Sequence, residues 1–296
     1  TRNHLHLMIL KAMRSYHSRW SVDIQLAGLL QDMQFLYEKR LMSQCKTVLR
    51  KLRKLAIAHD RHKVMLDVLE WDSKLLAAGF YVDKDEADID IISEDYYERL
   101  GLLQNEREYQ DLQSKLFNNY YKVGVERKNE NYKTNDQIVN QFALKQRDRA
   151  LTHTSQCIYL NIHAQYNKVN GNWEEAYRFR RDLVDKLKSK ELKEQKDREN
   201  IFTAINNLIP ICMRLEKYQE AEDLIKEIKK IVKRKTFKFT KEIELRALTF
   251  NAIAELALCV KLGRKDEGLI VVDMVVDQLD EIMSKGRTFP QLHLYY

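Results

Sequence analysis

Apolar residues recur along this chain three and four positions apart, the spacing of one face of an α-helix, and the pattern is interrupted by short polar turns. Three of those turns are alike: Gly171-Asn172-Trp173-Glu174-Glu175-Ala176, Glu216-Lys217-Tyr218-Gln219-Glu220-Ala221 and Gly263-Arg264-Lys265-Asp266-Glu267-Gly268. From Ala176 to Ala221 is 45 positions, and from Ala221 to Gly268 is 47. With these small residues aligned, the helix before each turn places Leu160 and Ala164, Ile205 and Ile209, and Ala252 and Leu256 on one face. The helix after each turn places Leu183, Ile228 and Val275 at one equivalent position. Three residues earlier stand Ile225 and Val272, a series that Arg180 breaks. Glycine suits a helix that ends in a left-handed residue, which accounts for Gly171 and Gly263, with Glu216 at the same place between them. A small residue after the turn lets two antiparallel helices approach closely. A period of this length implies stacked helical hairpins.

A related unit is visible upstream. Aligning Cys45 with Ala176 puts Leu29, Met33 and Leu36 on a first helix, Met42 before the turn side, and Leu49 and Leu52 on a second. An amphipathic helix over 61–78 and a long Leu- and Tyr-rich helix over 93–122 are expected to form a further, looser hairpin. Before Val22 one more helix carries Leu5, Met8, Ile9, Ala12, Met13 and Tyr16 on one side, and Ser21 or Asp23 caps the helix that follows. The organisation expected is one array over residues 1–296, with looser units in 1–125, a linker at about 126–140 and clear units from about 141 to 285. Pro290 and the amphipathic start after it read as a truncated further unit over 289–296, so both ends look cut from something larger.

Composition agrees with helix. The 296 residues contain only 2 Pro and 8 Gly, too few for a strand-and-turn protein, and 44% apolar residues suffice for a continuous core. The longest apolar runs, such as Leu269 to Val272, are far too short to span a membrane. No charged-then-apolar leader opens the chain. Cys212 and Cys259 lie one repeat apart, and with Cys45 and Cys157 they read as small core residues of a reduced, cytoplasmic protein, since no CxxC or Cys/His cluster occurs.

The aromatic, turn and small positions Trp173, Ala176, Tyr218, Ala221, Gly171, Gly263 and Gly268, with Cys45 upstream, resemble the tetratricopeptide repeat over roughly 149–285. The period exceeds the family's usual length of about 34 residues, and the closing proline is absent, as in the degenerate, long-helix units of uncharacterised bacterial proteins of this type. The resemblance implies an all-α, right-handed α-solenoid of antiparallel hairpins, about five to six units. It also implies a concave face, made by the first helices, that binds a peptide or helix of a partner protein.

Candidate chemistry is sparse. His59 and His62, three apart with Asp60 and Asp67 near, would suit a metal only with a third ligand, and spacing fixes none. His4, His6, His153 and His163 are isolated. No phosphate loop, nucleophile elbow or zinc-protease motif is present, so a non-enzyme without cofactor or metal is expected. The acidic stretch Asp83, Asp85, Glu86, Asp88, Asp90, Glu94 and Asp95 reads as a loop and a helix amino terminus, and it lacks the glycine of a calcium loop.

A formal net charge of +7 is concentrated in two runs, one around Lys46, Arg50, Lys51, Arg53 and Lys54, the other from Lys226 to Lys241. Each fits the solvated face of a packed helix or a surface for an anionic partner. Two functions follow. The first is a non-catalytic interaction scaffold in which Asn167, Asn207 and Asn251 bond an extended backbone and Lys46, Arg50 and Arg53 supply charge. The second is a regulatory or nucleic-acid-associated module whose basic faces touch phosphate, although no base-reading motif occurs.

Overall fold

The computed structural model describes residues 2–17, 21–80, 86–125, 135–189, 195–233 and 241–284, and every regular element among them is helical. Asp83 and Asp85, the predicted linker up to residue 134, Arg234 to Lys238, and the further unit over 289–296 lie outside the described residues. The chain forms two compact units, residues 1–131 with 140–156 and residues 132–139 with 157–296. No helix among the described residues is long and apolar enough to cross a membrane.

The first unit contains α1 (Arg2–His17), α2 (Val22–Glu38), α3 (Met42–Ala58), α4 (His62–Ala77), α5 (Glu86–Val125) and the four-residue α6 (Phe142–Lys145). Ser21 is the cap of α2, its hydroxyl accepting from the Ile24 N–H at 3.4 Å. Helix α2 packs on α3, α3 on α4 and α4 on α5. Their shared core holds Leu26 and Met33, then Cys45, Leu49, Leu52 and Ala56, then Met65, Val68 and Leu75. On α5, Tyr109, Leu112 and Leu116 are buried, and the Tyr109 hydroxyl donates to the Ala143 carbonyl. The Asn105 amide donates to the Arg149 carbonyl and accepts from the Leu151 N–H, at 2.9 and 3.0 Å, so the segment that follows α6 is held on α5. Leu5, Leu7, Met8, Ile9 and Met13 of α1 are exposed, so the apolar side predicted for this helix is not buried.

The second unit contains most of α7 (His153–Val169), then α8 (Trp173–Lys188), α9 (Gln195–Arg214), α10 (Tyr218–Lys233), α11 (Lys241–Leu262) and α12 (Lys265–Ser284). Thr152 and Ser155 start α7 by a reciprocal pair of bonds, Ser155 N–H to Thr152 Oγ1 at 3.0 Å and Thr152 N–H to Ser155 Oγ at 2.9 Å. Phe179 of α8 stacks on His163 of α7, with ring centroids 4.9 Å apart, and meets Tyr159 edge-on at 6.4 Å. From α8 onward each helix packs on its successor, and α9 also touches α11. Leu160, Ala164, Ile205, Ile209, Leu183 and Ile228 are buried as the repeat requires, whereas Val272, at the position of Ile225, is 41% exposed.

One turn geometry joins the hairpins. Gly171, Glu216 and Gly263 have φ of 78°, 59° and 68°. The next N–H in each case reaches the carbonyl five residues back: Asn172 to Asn167 at 2.9 Å, Lys217 to Cys212 at 2.8 Å and Arg264 to Cys259 at 2.9 Å. The following helix then opens with Ala176 bonding to Asn172, Ala221 to Lys217 and Gly268 to Arg264. Arg40, Asp60 and Gly79 of the first unit close α2, α3 and α4 in the same way, at φ of 57°, 52° and 73°. The Asp60 turn explains why α4 packs on α3 as well as on α5, where the sequence pattern suggested a separate hairpin with α5 alone: no glycine marks it.

Five residues after the left-handed residue stand Cys45, Met65, Ala176 and Ala221, all buried. A Cβ on Gly268 would lie 3.3 Å from the Cys259 Cβ, a close approach of α11 and α12 that a side chain would disturb. At α4 the same position takes the longer Met65, so burial is common to the set and smallness is a demand of the second unit.

Candidate functional site

The predicted partner-binding residues differ in their surroundings. Lys46 Nζ donates to the Phe80 carbonyl, Arg50 Nε to the Lys46 carbonyl at 3.3 Å, and Arg53 pairs with Asp72 of α4. Two of these three cations are therefore engaged in holding α3 against its neighbours, and Arg50 is the exposed one. Asn167 donates to the His163 carbonyl at 2.9 Å and accepts from Asn172 at 3.4 Å. Asn207 is exposed, and Asn251 is buried with its Oδ1 unpartnered. Among the described residues no hydrogen bond joins Asn167, Asn207 and Asn251. No group of three or more His, Cys, Asp or Glu among the described residues is placed to hold a metal ion, and the four cysteines are thiols.

Polar ties instead run from each hairpin of the second unit to the next. Glu220 of α10 accepts from the Tyr177 hydroxyl at 2.7 Å and pairs with Arg181 at 2.9 Å, both on α8. Lys188 of α8 pairs with Glu227 of α10 at 2.7 Å. Farther on, Glu222 of α10 pairs with Arg264 at 2.6 Å, and Lys229 with Glu255 of α11. These half-exposed pairs fix register more than they add stability, because exposed ion pairs contribute under about 1 kcal/mol. Burial, with the Glu220 hydrogen bond and charge, pushes the Tyr177 phenol up to about 12. Burial, reinforced by Glu220, likewise pushes the Cys212 thiol up to about 12, so it is no nucleophile.

Two of these ties, Glu222 with Arg264 and Lys229 with Glu255, border a groove of about 320 Å³ formed by α10, α11 and α12. Ile225, Leu258, Ile270, Val271 and Met274 give it an apolar floor, and Lys226, Glu255 and Glu267 with the ion-paired residues give it a rim of both signs. Ile270 of this floor is 68% exposed; on the same two helices α11 and α12, Val260 is 81% exposed, with Ile253 and Leu269 also open. The run Leu269-Ile270-Val271-Val272 was the available signal, since four consecutive apolar residues on a helix cannot share one face. The groove's charged residues carried none, since Glu222 and Arg264 are brought together from 42 positions apart and Lys229 and Glu255 from the separate helices α10 and α11.

In the first unit, α4 and α5 bound a cavity of about 400 Å³ lined by Glu70, Ser73, Lys74, Ile92, Ser93, Tyr96 and Tyr97. The Tyr96 and Tyr97 rings meet edge-on at 6.0 Å, and Tyr96 Oη donates to Glu70 Oε1 at 3.4 Å. Burial, then the Glu70 charge, hold the Asp67 carboxyl above the usual carboxylate value.

Buried inside the second unit, Arg180 gives Nη1 to Asn161 Oδ1 and has no partner for Nε. Burial lowers its pKa to about 10, which leaves it charged at neutral pH. Burial and the charge of Arg180 lower Lys168 of α7.

Comparison with protein-family models, with curated proteins and with solved structures finds no match to this chain.

Proposed function

We propose that the chain is a non-catalytic protein–protein interaction scaffold of tetratricopeptide type, whose second unit is a short solenoid of hairpins that docks a peptide or helix of a partner. The observation that carries this reading is the recurrence of one turn and one small position five residues on, at Gly171, Glu216 and Gly263, with polar ties from each of these hairpins to its neighbour. Repetition of a unit that contacts only its neighbours leaves extended surface for a partner. The groove over α10 to α12 has what an amphipathic helix needs, an apolar floor and a rim of both charges. A reduced, cytoplasmic setting suits the four thiols.

A differential capture experiment tests this. Partner proteins retained by the wild-type chain are expected to be lost with Ile270→Glu, which charges the groove floor, and kept with Phe35→Glu, which alters an exposed apolar residue of the first unit. Equal retention by both variants would overturn the assignment of the groove. An array that retains no protein in any form would overturn the scaffold reading.

A further inference from the structure

Arg180 is where the repeat departs from its own pattern. Three residues before the buried Ile228, the next hairpin has Ile225, 3% exposed, whereas three residues before Leu183 this hairpin has Arg180, 2% exposed. A guanidinium thus occupies the place of a core aliphatic side chain. Its contact among the described residues is the neutral Asn161 carbonyl oxygen, with no ion pair, and its Nε–H is unpartnered. Burying a charge without a counter-charge is costly, and one neutral acceptor does not offset it. Lys168, half-buried two turns beyond Asn161 on α7, adds a second positive charge that acts against the first.

We propose that Arg180, Lys168 and Asn161 form a binding site for a small dianionic oxyanion of the phosphate class, held in the seam between α7 and α8. The guanidinium fork, Nε–H with its neighbouring Nη–H, matches two oxygens of such an ion, and Lys168, whose charge acts on that of Arg180, adds a second cation. Two neighbouring cations with no ion pair among the described residues match a dianion better than a single carboxylate. This inference is independent of the scaffold reading.

Thermal unfolding of the whole chain, followed by circular dichroism while sodium phosphate replaces sodium chloride at fixed ionic strength, tests it. The wild-type midpoint is expected to rise by about 3 °C or more and to saturate. Sulfate is expected to act similarly and acetate weakly. Arg180→Ile restores the residue type of the next hairpin; it is expected to unfold in chloride at or above the wild-type midpoint and to show no phosphate-dependent rise. Lys168→Met is expected to show a smaller rise than wild type. An equal phosphate response in wild type and Arg180→Ile would overturn the site. As a readout that needs no variant, the Arg180 Nε–H resonance of the wild-type chain is expected to shift saturably with phosphate, and an unmoved resonance would also overturn it.

Discussion

The two units close their helices with the same turn but use it differently. In the first, Arg40, Asp60 and Gly79 end three successive helices, so left-handed residues recur about every 20 positions and both ends of the stack carry the turn. In the second, Gly171, Glu216 and Gly263 end every other helix, 45 and 47 positions apart, and the helices lengthen to 20 residues in α9 and 22 in α11. Among the described residues, the transferable element is therefore the turn with the packed residue five positions on. Close approach is a feature of the second unit, where Ala176, Ala221 and Gly268 fill that position, while Met65 shows that the first unit has room there for a long side chain.

That contrast can be broken at its tightest point first. Ala221→Leu, which forces extra methylenes between α9 and α10, is expected to cost about 1–3 kcal/mol in urea unfolding, whereas Met65→Leu, volume-conserving, is expected to cost under about 1.5 kcal/mol. Equal losses would mean that the two positions are packed alike. The turn itself comes next. Glu216→Gly, Arg40→Gly and Asp60→Gly each relieve a side chain held at positive φ and are expected to stabilise by about 0.5–1 kcal/mol, the gain being reduced by the greater freedom of glycine when unfolded. Gly171→Ala is expected to lose a similar amount. A loss at Glu216→Gly would show that its side chain, and not the turn, matters there.

A third effect belongs to the second unit alone. Tyr177 is held near 12 in the folded chain against 10 when unfolded. Between pH 10 and 12 the unfolded chain releases this proton while the folded one keeps it, so stability present below pH 10 is lost as pH rises through that window. Tyr177→Phe is expected to flatten the loss seen in pH-dependent unfolding, and an unchanged slope would contradict the assignment to Tyr177. The smallest effect is that of the ties. Arg181→Ala is expected to change stability by less than about 1 kcal/mol, because its pairs with Glu220 and Asp185 are half-exposed.

Helical class and repeat register were legible because both depend on local signals, namely apolar spacing and glycine at a left-handed position, as at Gly171 and Gly263. The turns at Arg40 and Asp60 were not legible, because a charged residue carries the positive φ there and gives no sign of it. Arg180 was visible as a break in the apolar series, but only its burial gives the break a meaning. The groove over α10 to α12 escaped because Glu222, Glu255 and Arg264 meet through pairing of distant segments. Among the candidate partner residues, Lys46 and Arg53 looked like a basic stripe, yet their acceptors on neighbouring segments, the Phe80 carbonyl and Asp72, lie 34 and 19 positions away.

Native-state hydrogen exchange, resolved by helix on the whole chain, tests most directly whether the second unit is a stack of hairpins built on one turn. Protection is expected to be highest in α9 to α11, each packed on helices on both sides, and to fall in α12, which packs chiefly on α11 among the described residues and where Val272 and Ile270 are already open. Uniform protection from α7 to α12, with all six helices opening as one block, would contradict the account.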